Sequence, residues 1–345
     1  MLFLSSCFLD SMIVQPFQRR KPKTENRKPT TTQPLPLLLV LGVLTACGAG
    51  CGTIKNAAVR TAGDMFSGEE ALAVFTSDDD PELIRDALPF AMKTLDVLLV
   101  QDPGNDELRL AAAGLYIQYA YAFLDSEADY LEEDDPERAR ALRARAVTLY
   151  LRGRDYAMTV LDHAHPEFSG TLFSDPGQAL ASMKADDVPA LYWTGASWAA
   201  AIGANPGNMS LVADLPLVEP IMRKVLALDP GYDSGSVHEF FISFEGGRGE
   251  MMGGNAELAE KHFEEAVRLS GGQRASPYIG LASTVAVARQ DSEMFVALLN
   301  QALAVDVSDR PTERLPNILS QRKAQWLLDH GPDLFLEFGE DNAQQ

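Results

Sequence analysis

Residues 222–230 read MRKVLALDP, an apolar helical segment that ends at Asp229-Pro230. Two later stretches share its arrangement of apolar residues, and one earlier stretch matches it more weakly. These three are Ala259-x3-Phe263-x2-Ala266-x2-Leu269, Phe295-x3-Leu299-x2-Ala302, and Leu95-x2-Leu98-Leu99 before Asp102-Pro103. The equivalent positions Val225, Ala266 and Ala302 lie 41 and 36 residues apart. Recurrence at such an interval indicates a chain built from repeated helix pairs.

The recurring segment resembles the second helix of a tetratricopeptide repeat, whose period is about 34 residues. The match is degenerate, so the sequence predicts divergent repeats with insertions. Each pair of helices leaves an apolar face that the next pair covers, and stacked pairs form a solenoid with a concave side. We therefore predict an all-α fold, a solenoid of divergent tetratricopeptide-like helix pairs.

Helical signals continue outside these segments. Asp78–Asp80 precede Pro81, which is typical of an acidic cap followed by proline at the first helical position. Capping is a simpler role for these carboxylates than binding a cation. Apolar residues then recur at three- and four-residue spacing through Leu99. Further helices are predicted over 107–128, from Pro136 to Pro166, over 176–183 within a loop, and over 190–204 as a buried helix.

An export signal lies near the amino terminus. Basic residues from Arg19 to Lys28 precede the apolar run Leu37–Cys47, which at about ten residues is too short to span a bilayer. The run ends in Leu44-Thr45-Ala46-Cys47, which resembles a bacterial lipobox and predicts acylation of Cys47, with Cys51 as the alternative. We predict a leader at 1–46, an acylated segment at 47–70, and a single all-α tetratricopeptide-like domain at 71–340.

The composition excludes several classes of function. The chain has 29 basic and 49 acidic residues, and without residues 1–46 it keeps 23 basic and 47 acidic residues, a net charge of −24. So acidic a surface repels nucleic acid and anionic lipid headgroups, which leaves the lipid anchor as the expected membrane contact. No cysteine follows Gly52, which excludes cysteine metal sites and cysteine nucleophiles in the folded part.

The sequence shows no complete catalytic motif. His238-Glu239 begins like a zinc-protease motif but has no second histidine four residues later. There is no G-x-S-x-G nucleophile elbow, and glycine pairs such as Gly271-Gly272 fit helix ends better than phosphate loops. His262 lies among Glu260, Lys261 and Glu264, so we expect it to face solvent. We predict a protein that is not an enzyme and that needs no metal or cofactor.

Three polar and aromatic stretches remain as candidates for ligand binding. The helix over 190–204 carries aromatic and small residues, although core packing is the alternative. Arg152 and Arg154 need carboxylate partners, either from a ligand or from the protein, such as Asp155. The loop over 229–239 carries many polar groups and could also be a plain connector. The predicted ligand-binding residues are Tyr192, Trp193, Trp198, Arg152, Arg154, Tyr232 and His238.

Four ordered blocks of the sequence carry a more specific resemblance. They are DxDPELIRDALPFAMK at 78–93, LYLRGRDY at 149–156, LYWTGASWAAAI at 191–202 and DPGYDxGSVHE at 229–239. In order and wording they resemble the T-component family of TRAP transporters, and the likeness extends from about Cys51 to Phe335.

The resemblance implies a periplasmic lipoprotein with cryptic tetratricopeptide repeats that partners the solute-binding P component of a TRAP transporter. It also implies a homotrimer, since a member of the family forms one with a pore through each protomer and an apolar cleft beside it. The expected function is assistance in the uptake of a small hydrophobic or carboxylate ligand. The alternative is a scaffold lipoprotein for cell-envelope assembly, without a ligand. Because Gly48 is not the aspartate that retains lipoproteins on the inner membrane, the outer membrane is the default location.

Overall fold

A computed structural model describes residues 68–338, and the leader, Cys47 and Cys51 lie outside the described residues. Within this range the regular elements are all helical, which confirms the all-α prediction. The first half contains α1 (Glu69–Thr76), α2 (Pro81–Gln101), α3 (Asp106–Ala120), a π-helix (Tyr121–Asp125), α4 (Ser126–Leu131), α5 (Pro136–Ala164), α6 (Phe168–Ser174), α7 (Pro176–Ala181), α8 (Val188–Ala204) and α9 (Met209–Val212). The second half contains α10 (Leu215–Leu228), α11 (Ser236–Gly246), α12 (Ala256–Ser270), α13 (Ser276–Leu281), a second π-helix (Ala282–Ala286), α14 (Val287–Arg289), α15 (Ser292–Leu303), α16 (Arg314–Asp329) and α17 (Gly331–Leu334).

Local chemistry explains where the long helices begin. The Asp80 carboxylate accepts hydrogen bonds from the backbone N–H groups of Glu82 and Leu83, and Pro81 occupies the first helical position. The acidic run before α2 therefore caps the helix, as predicted. Asp135 caps α5 in the same way, ahead of Pro136.

Two predicted segments differ in detail from the structure. The helix expected over 107–128 is present and runs over 106–131, but it contains the π-helix at Tyr121–Asp125, a change of hydrogen-bonding register that apolar periodicity does not reveal. The loop expected to hold one short helix holds two, α6 and α7, which are separated by the cap residue Asp175.

Helix α8 is the centre of the larger core. All of its residues except Pro189 are buried, which agrees with the predicted buried helix. It packs between α5 and α10, and α5 packs in turn on α3. The core includes the fully buried side chains of Tyr150, Tyr192 and Trp198.

A second, smaller core lies among α11 to α17 and contains Ile279, Phe295 and Leu299. Two helices join the cores. In α11, Phe241 belongs to the larger core and Ile242 to the smaller one, and in α16 the same is true of Leu319 and Leu327. Helices α11 and α16 therefore each contribute side chains to both cores.

The last long helix returns to the first helices. In α16, the Arg314 guanidinium donates to the backbone carbonyl of Ser77 at 3.2 Å, and Arg322 pairs with Glu82 of α2 at 3.2 Å. Lys323 pairs with Asp129 of α4 at 2.7 Å. We call this contact of α16 with α1, α2 and α4 the seam. In an open solenoid each repeat contacts its neighbours, whereas here elements far apart in the sequence also meet.

The close approach of α5 to α3 depends on Gly153. A Cβ at this position would lie 2.6 Å from Ile117 Cγ1 and 3.1 Å from the carbonyl oxygen of Ala113. We expect Gly153→Ala to lower the free energy of unfolding by about 1–3 kcal/mol, because overpacking outweighs the gain in helix propensity. Urea unfolding followed by circular dichroism measures the change.

Gly170→Ala is the matched control, since nothing lies within 4 Å of a Cβ built at Gly170 in α6. This substitution should leave the free energy of unfolding unchanged or raise it by up to about 1 kcal/mol. Equal effects of the two substitutions would contradict the close contact between α3 and α5.

Candidate functional site

Two clefts open along the seam, and both are bounded by the π-helix at Tyr121–Asp125 and by α16. The polar cleft encloses about 470 Å³ of space, part of it open to solvent. Its lining residues are Glu82, Arg85, Tyr121, Ala122, Phe123, Ser126, Glu127, Tyr130, Leu319, Ser320, Arg322 and Lys323. Since the helices of the seam come from both ends of the described chain, neither end builds this cleft alone.

The apolar cleft lies beside the polar one and encloses about 450 Å³, also partly open to solvent. Its lining residues are Leu72, Phe75, Thr76, Ile84, Leu88, Leu115, Gln118, Ala122, Phe123, Leu315 and Leu319. Ala122, Phe123 and Leu319 line both clefts. The side chains of Ala122, Phe123 and Leu319 thus form a common wall between the polar cleft and the apolar cleft.

The π-helix shapes that wall. A π-helix is a rare single-turn distortion that occurs most often at functional sites. Here it leaves Ala122 and Phe123 half-buried at the clefts, whereas Tyr121, Leu124 and Asp125 are buried. The distortion therefore places Ala122 and Phe123 between the polar cleft and the apolar cleft.

The polar cleft is lined by charges of both signs. Arg85, Arg322 and Lys323 face it with the two acids Glu82 and Glu127, and Asp86 and Asp129 pair with Arg85 and Lys323 beside it. Arg85 and Arg322 both pair with Glu82. Because these pairs are half-exposed, their strength is modest and a ligand carboxylate can compete for the guanidinium groups.

A buried carboxyl group lies at the end of the π-helix. The Tyr150 hydroxyl donates to Asp125 Oδ2 at 3.1 Å, and Asp125 Oδ1 is buried with no hydrogen-bond partner among the described residues. Burial, and then the nearby charge of Asp129, raises the pKa of Asp125 to about 7. Asp129 itself bridges Lys323 and Arg143, which are 2.7 Å and 2.8 Å away. Asp125 is therefore a group that changes protonation near neutral pH.

Three of the four aromatic residues predicted to bind a ligand lie inside the core, and Tyr232 is half-buried against it. Tyr192 and Trp198 are fully buried and Trp193 nearly so. Tyr192 packs against Trp193 and against Tyr232, with ring centroids 5.4 Å and 5.3 Å apart. None of the four lines the polar or the apolar cleft. The arrangement matches the alternative of core packing that the sequence left open.

The two predicted arginines have partners within the protein. Arg154 pairs with Asp155 at 2.7 Å and lies over the Trp198 ring, 4.8 Å from its centroid. The Arg152 guanidinium donates to the Tyr116 hydroxyl at 3.1 Å, and that hydroxyl donates to Asp96 at 2.7 Å. Arg152 thus belongs to a polar group with Tyr116 and Asp96, whereas Arg154 packs on Trp198.

The expectation that His262 faces solvent was wrong. His262 and His238 are both buried, and their Nδ1 atoms are 2.9 Å apart, so one ring donates to the other. His262 stacks on Phe241, with ring centroids 5.0 Å apart. Burial and the neighbouring His238 lower the pKa of His262 to about 4. The charged neighbours of His262 in the sequence lie on other sides of α12, which a run of adjacent residues cannot show.

The stretch 229–239 is only partly a loop, because α11 begins at Ser236. Its acids Asp233 and Glu239 contact Arg274, which is 2% exposed, at 3.1 Å and 3.2 Å. Arg274 also pairs with Glu313 at 3.1 Å. This arginine with three carboxylates, which we call the Arg274 cluster, joins α11, the segment before α13 and the segment before α16. The sequence analysis did not identify it, because the four residues span 81 positions and share no motif.

The described residues include no group of three or more histidine, cysteine, aspartate or glutamate side chains that could hold a metal ion. Over the same range, no helix has the length and apolar character of a membrane span.

Comparison with known proteins gives two matches. The sequence profile of the family described as "TRAP transporter T-component" matches residues 77–335. A protein of Treponema pallidum (strain Nichols), described as "Uncharacterized protein", is 34% identical over 268 residues, which cover 76% of this chain and 83% of that protein. The family match includes nearly all of the residues that line the two clefts, from Glu82 to Lys323.

Proposed function

Because the chain belongs to the TRAP transporter T-component family, we propose that it is a lipid-anchored periplasmic auxiliary component that binds the solute-binding P component of a TRAP transporter. The leader supports the localisation: Cys47, or in its place Cys51, carries the acyl chains and the anchor is the membrane contact. The outer membrane is the default location, and the assembled form is a homotrimer. No cofactor is required.

The helix pairs are divergent tetratricopeptide repeats in this proposal. The equivalent positions Val225, Ala266 and Ala302 support this assignment, because each is fully buried. They lie on α10, α12 and α15, respectively. The seam then adds a second contact between the first and last parts of the repeat array. The repeats provide the surface on which the P component docks.

The ligand is a small amphipathic carboxylate in this proposal, and it occupies the two clefts. The observation that carries the assignment is the common wall of Ala122, Phe123 and Leu319 between a charged and an apolar cleft. A hydrocarbon tail packs on the apolar cleft in this proposal, while Arg85 and Arg322 orient a carboxylate through charge-assisted hydrogen bonds. The rival location for the ligand consists of the seven residues predicted from the sequence, which include Arg154 and Trp198.

Arg322→Gln should weaken binding of a fluorescent fatty acid such as cis-parinarate by about ten- to a hundredfold, since a charge-assisted hydrogen bond contributes about 1.5–3 kcal/mol. Titration of probe fluorescence measures the affinity. Arg154→Gln is the matched control, because it removes a guanidinium of the rival location. If Arg154→Gln weakens binding and Arg322→Gln does not, the ligand occupies the rival location instead.

Native mass spectrometry of the purified protein with a candidate P component from the same genome tests the transport assignment. A complex with the P component, or a co-purified small molecule, is the expected result. A protein that ignores the P component and holds nothing would instead be a scaffold for envelope proteins.

A further inference from the structure

Helix α2 carries apolar side chains on both sides. Its inward side contains Ile84, Leu88 and Leu95, which belong to the larger core. On the outward side Leu83, Phe90 and Val97 are 57%, 79% and 63% exposed. No residue between 68 and 338 covers this outward row. A surface helix normally presents a polar outer face, so the row is unusual.

The spacing of the row is regular. Leu83, Phe90 and Val97 recur every seven residues, and Ala87 and Thr94, which are half-buried, lie between them. In packed helix pairs two positions of each seven-residue repeat face the partner; here the first is Leu83, Phe90 or Val97, and the second is the small Ala87 or Thr94. With 21 residues, α2 extends for about 31 Å, enough for three successive layers of contact. The outward row is thus suited to receive another helix.

The row is self-complementary in an antiparallel arrangement. Leu83 and Val97 lie equally far from Phe90 along the helix, so a two-fold axis at Phe90 places each of them opposite the other in a second copy. The charges beside the row agree with this arrangement. Asp86 and Lys93 lie on the same flank and are 77% and 63% exposed.

In the antiparallel pair each Lys93 comes within about one helical rise of Asp86 in the other copy, and the symmetry repeats the contact. Asp86 pairs with Arg85 of its own helix, and such an exposed pair exchanges partners at little cost. Lys93 pairs with Asp96, which is 22% exposed, and donates to the Tyr116 hydroxyl at 3.1 Å, so its third N–H is the one that reaches Asp86 of the other copy. The apolar row and the charges beside it on α2 are therefore complementary to α2 of a second copy.

We propose that two copies of this chain associate through α2, antiparallel, with the two-fold axis at Phe90. The inference goes beyond the proposed function and does not depend on it. By itself this contact gives a dimer, and in any larger assembly that contains it residue 90 meets its own counterpart.

Cysteine cross-linking tests this geometry in the full chain with Cys7, Cys47 and Cys51 replaced by serine. Phe90→Cys should give a disulfide-linked dimer on a non-reducing gel after mild copper-phenanthroline oxidation. Val97→Cys alone should not, because the two copies of residue 97 are about 21 Å apart along the helix. A mixture of Leu83→Cys and Val97→Cys chains should give the mixed dimer. Self-linking of Val97→Cys, or no linking of Phe90→Cys, would overturn the proposal.

The mass in solution provides an independent readout. Phe90→Glu should weaken the two-fold association at least about a hundredfold, since a central aromatic residue is lost from both sides of the contact, and light scattering after gel filtration should show half the mass. Phe173→Glu is the control, because Phe173 is similarly exposed on α6. Thermal unfolding of both variants confirms that they fold. A Phe90→Glu variant with unchanged mass would overturn the proposal.

The same variants separate this inference from the proposed function. If Phe90→Glu loses the two-fold association and still binds the P component, the two contacts are distinct. If the wild-type protein associates through α2 and binds no P component, the two-fold contact stands and the transport assignment fails.

Discussion

Arg274→Met should lower the free energy of unfolding by about 3–5 kcal/mol at pH 8, the largest loss that we expect from a single substitution in this protein. The methionine fills a similar volume but leaves Asp233 and Glu239 buried without a cation, and leaves Glu313 with only the half-exposed Arg310 at 3.6 Å. Arg274 also donates to the Ser236 hydroxyl and to the Asp233 carbonyl, so two further acceptors lose their partner. Urea unfolding followed by circular dichroism measures the loss.

The pH dependence of this loss has a definite sign. Burial already raises the pKa of Asp233 to about 7 and raises that of Glu239 above its usual value. Without the guanidinium both pKa values rise further, so the folded variant takes up protons between pH 8 and pH 5 and regains part of its stability. The loss should therefore shrink as the pH falls. Arg268→Met is the control, because Arg268 forms an exposed pair with Glu265. A comparable loss in both variants would contradict the role of burial.

Asp125→Asn should stabilise the protein at pH 8, although it removes a charged group from a charged region. The folded-state pKa of Asp125 is about 7, above its ordinary value of 3.8, so the protonated form is favoured by folding. Stability from this group is present at low pH and is lost as the pH rises through 7. The asparagine amide replaces the protonated carboxyl and still accepts from the Tyr150 hydroxyl.

The stability difference between Asp125→Asn and wild type should consequently be about 2–3 kcal/mol more favourable at pH 8 than at pH 5. Unfolding free energies at several pH values between 5 and 8 provide the comparison, and the difference between the two proteins cancels the titration of other groups. Asp86→Asn, at an exposed position, is expected to show no such change. A flat difference for Asp125→Asn would mean that Asp125 is ionised throughout this range.

Much of the fold could be predicted from local chemistry. The cap at Asp80, the buried helix at 190–204 and the glycine-rich helix ends all depend on residues within a few positions of one another. Such signals are present in the sequence because the hydrogen bonds that they describe are themselves local. The π-helix was missed since its wider turn leaves the apolar pattern of 107–128 almost unchanged.

The candidate site could not be predicted in the same way. Arg322 and Glu82 meet across 240 positions, and Lys323 and Asp129 across 194. The blocks that resemble the T-component family identified the family, which the profile match supports, but Tyr192 and Trp198 of those blocks serve the core. A sequence block that is typical of a family indicates that the fold is shared with that family. It does not show that the aromatic residues in the block bind a ligand, because packing in the core also requires them.

The seam also constrains the order in which the protein can be completed. Synthesis begins at the amino terminus, so α1 and α2 leave the ribosome long before α16. Until Leu315 and Leu319 arrive, Ile84 and Leu88 lack the side chains that close the apolar cleft over them. Contacts of such high sequence separation form late and slow folding. The half-finished chain thus exposes these apolar side chains, and a chain that stops before residue 315 lacks the α16 side of both clefts.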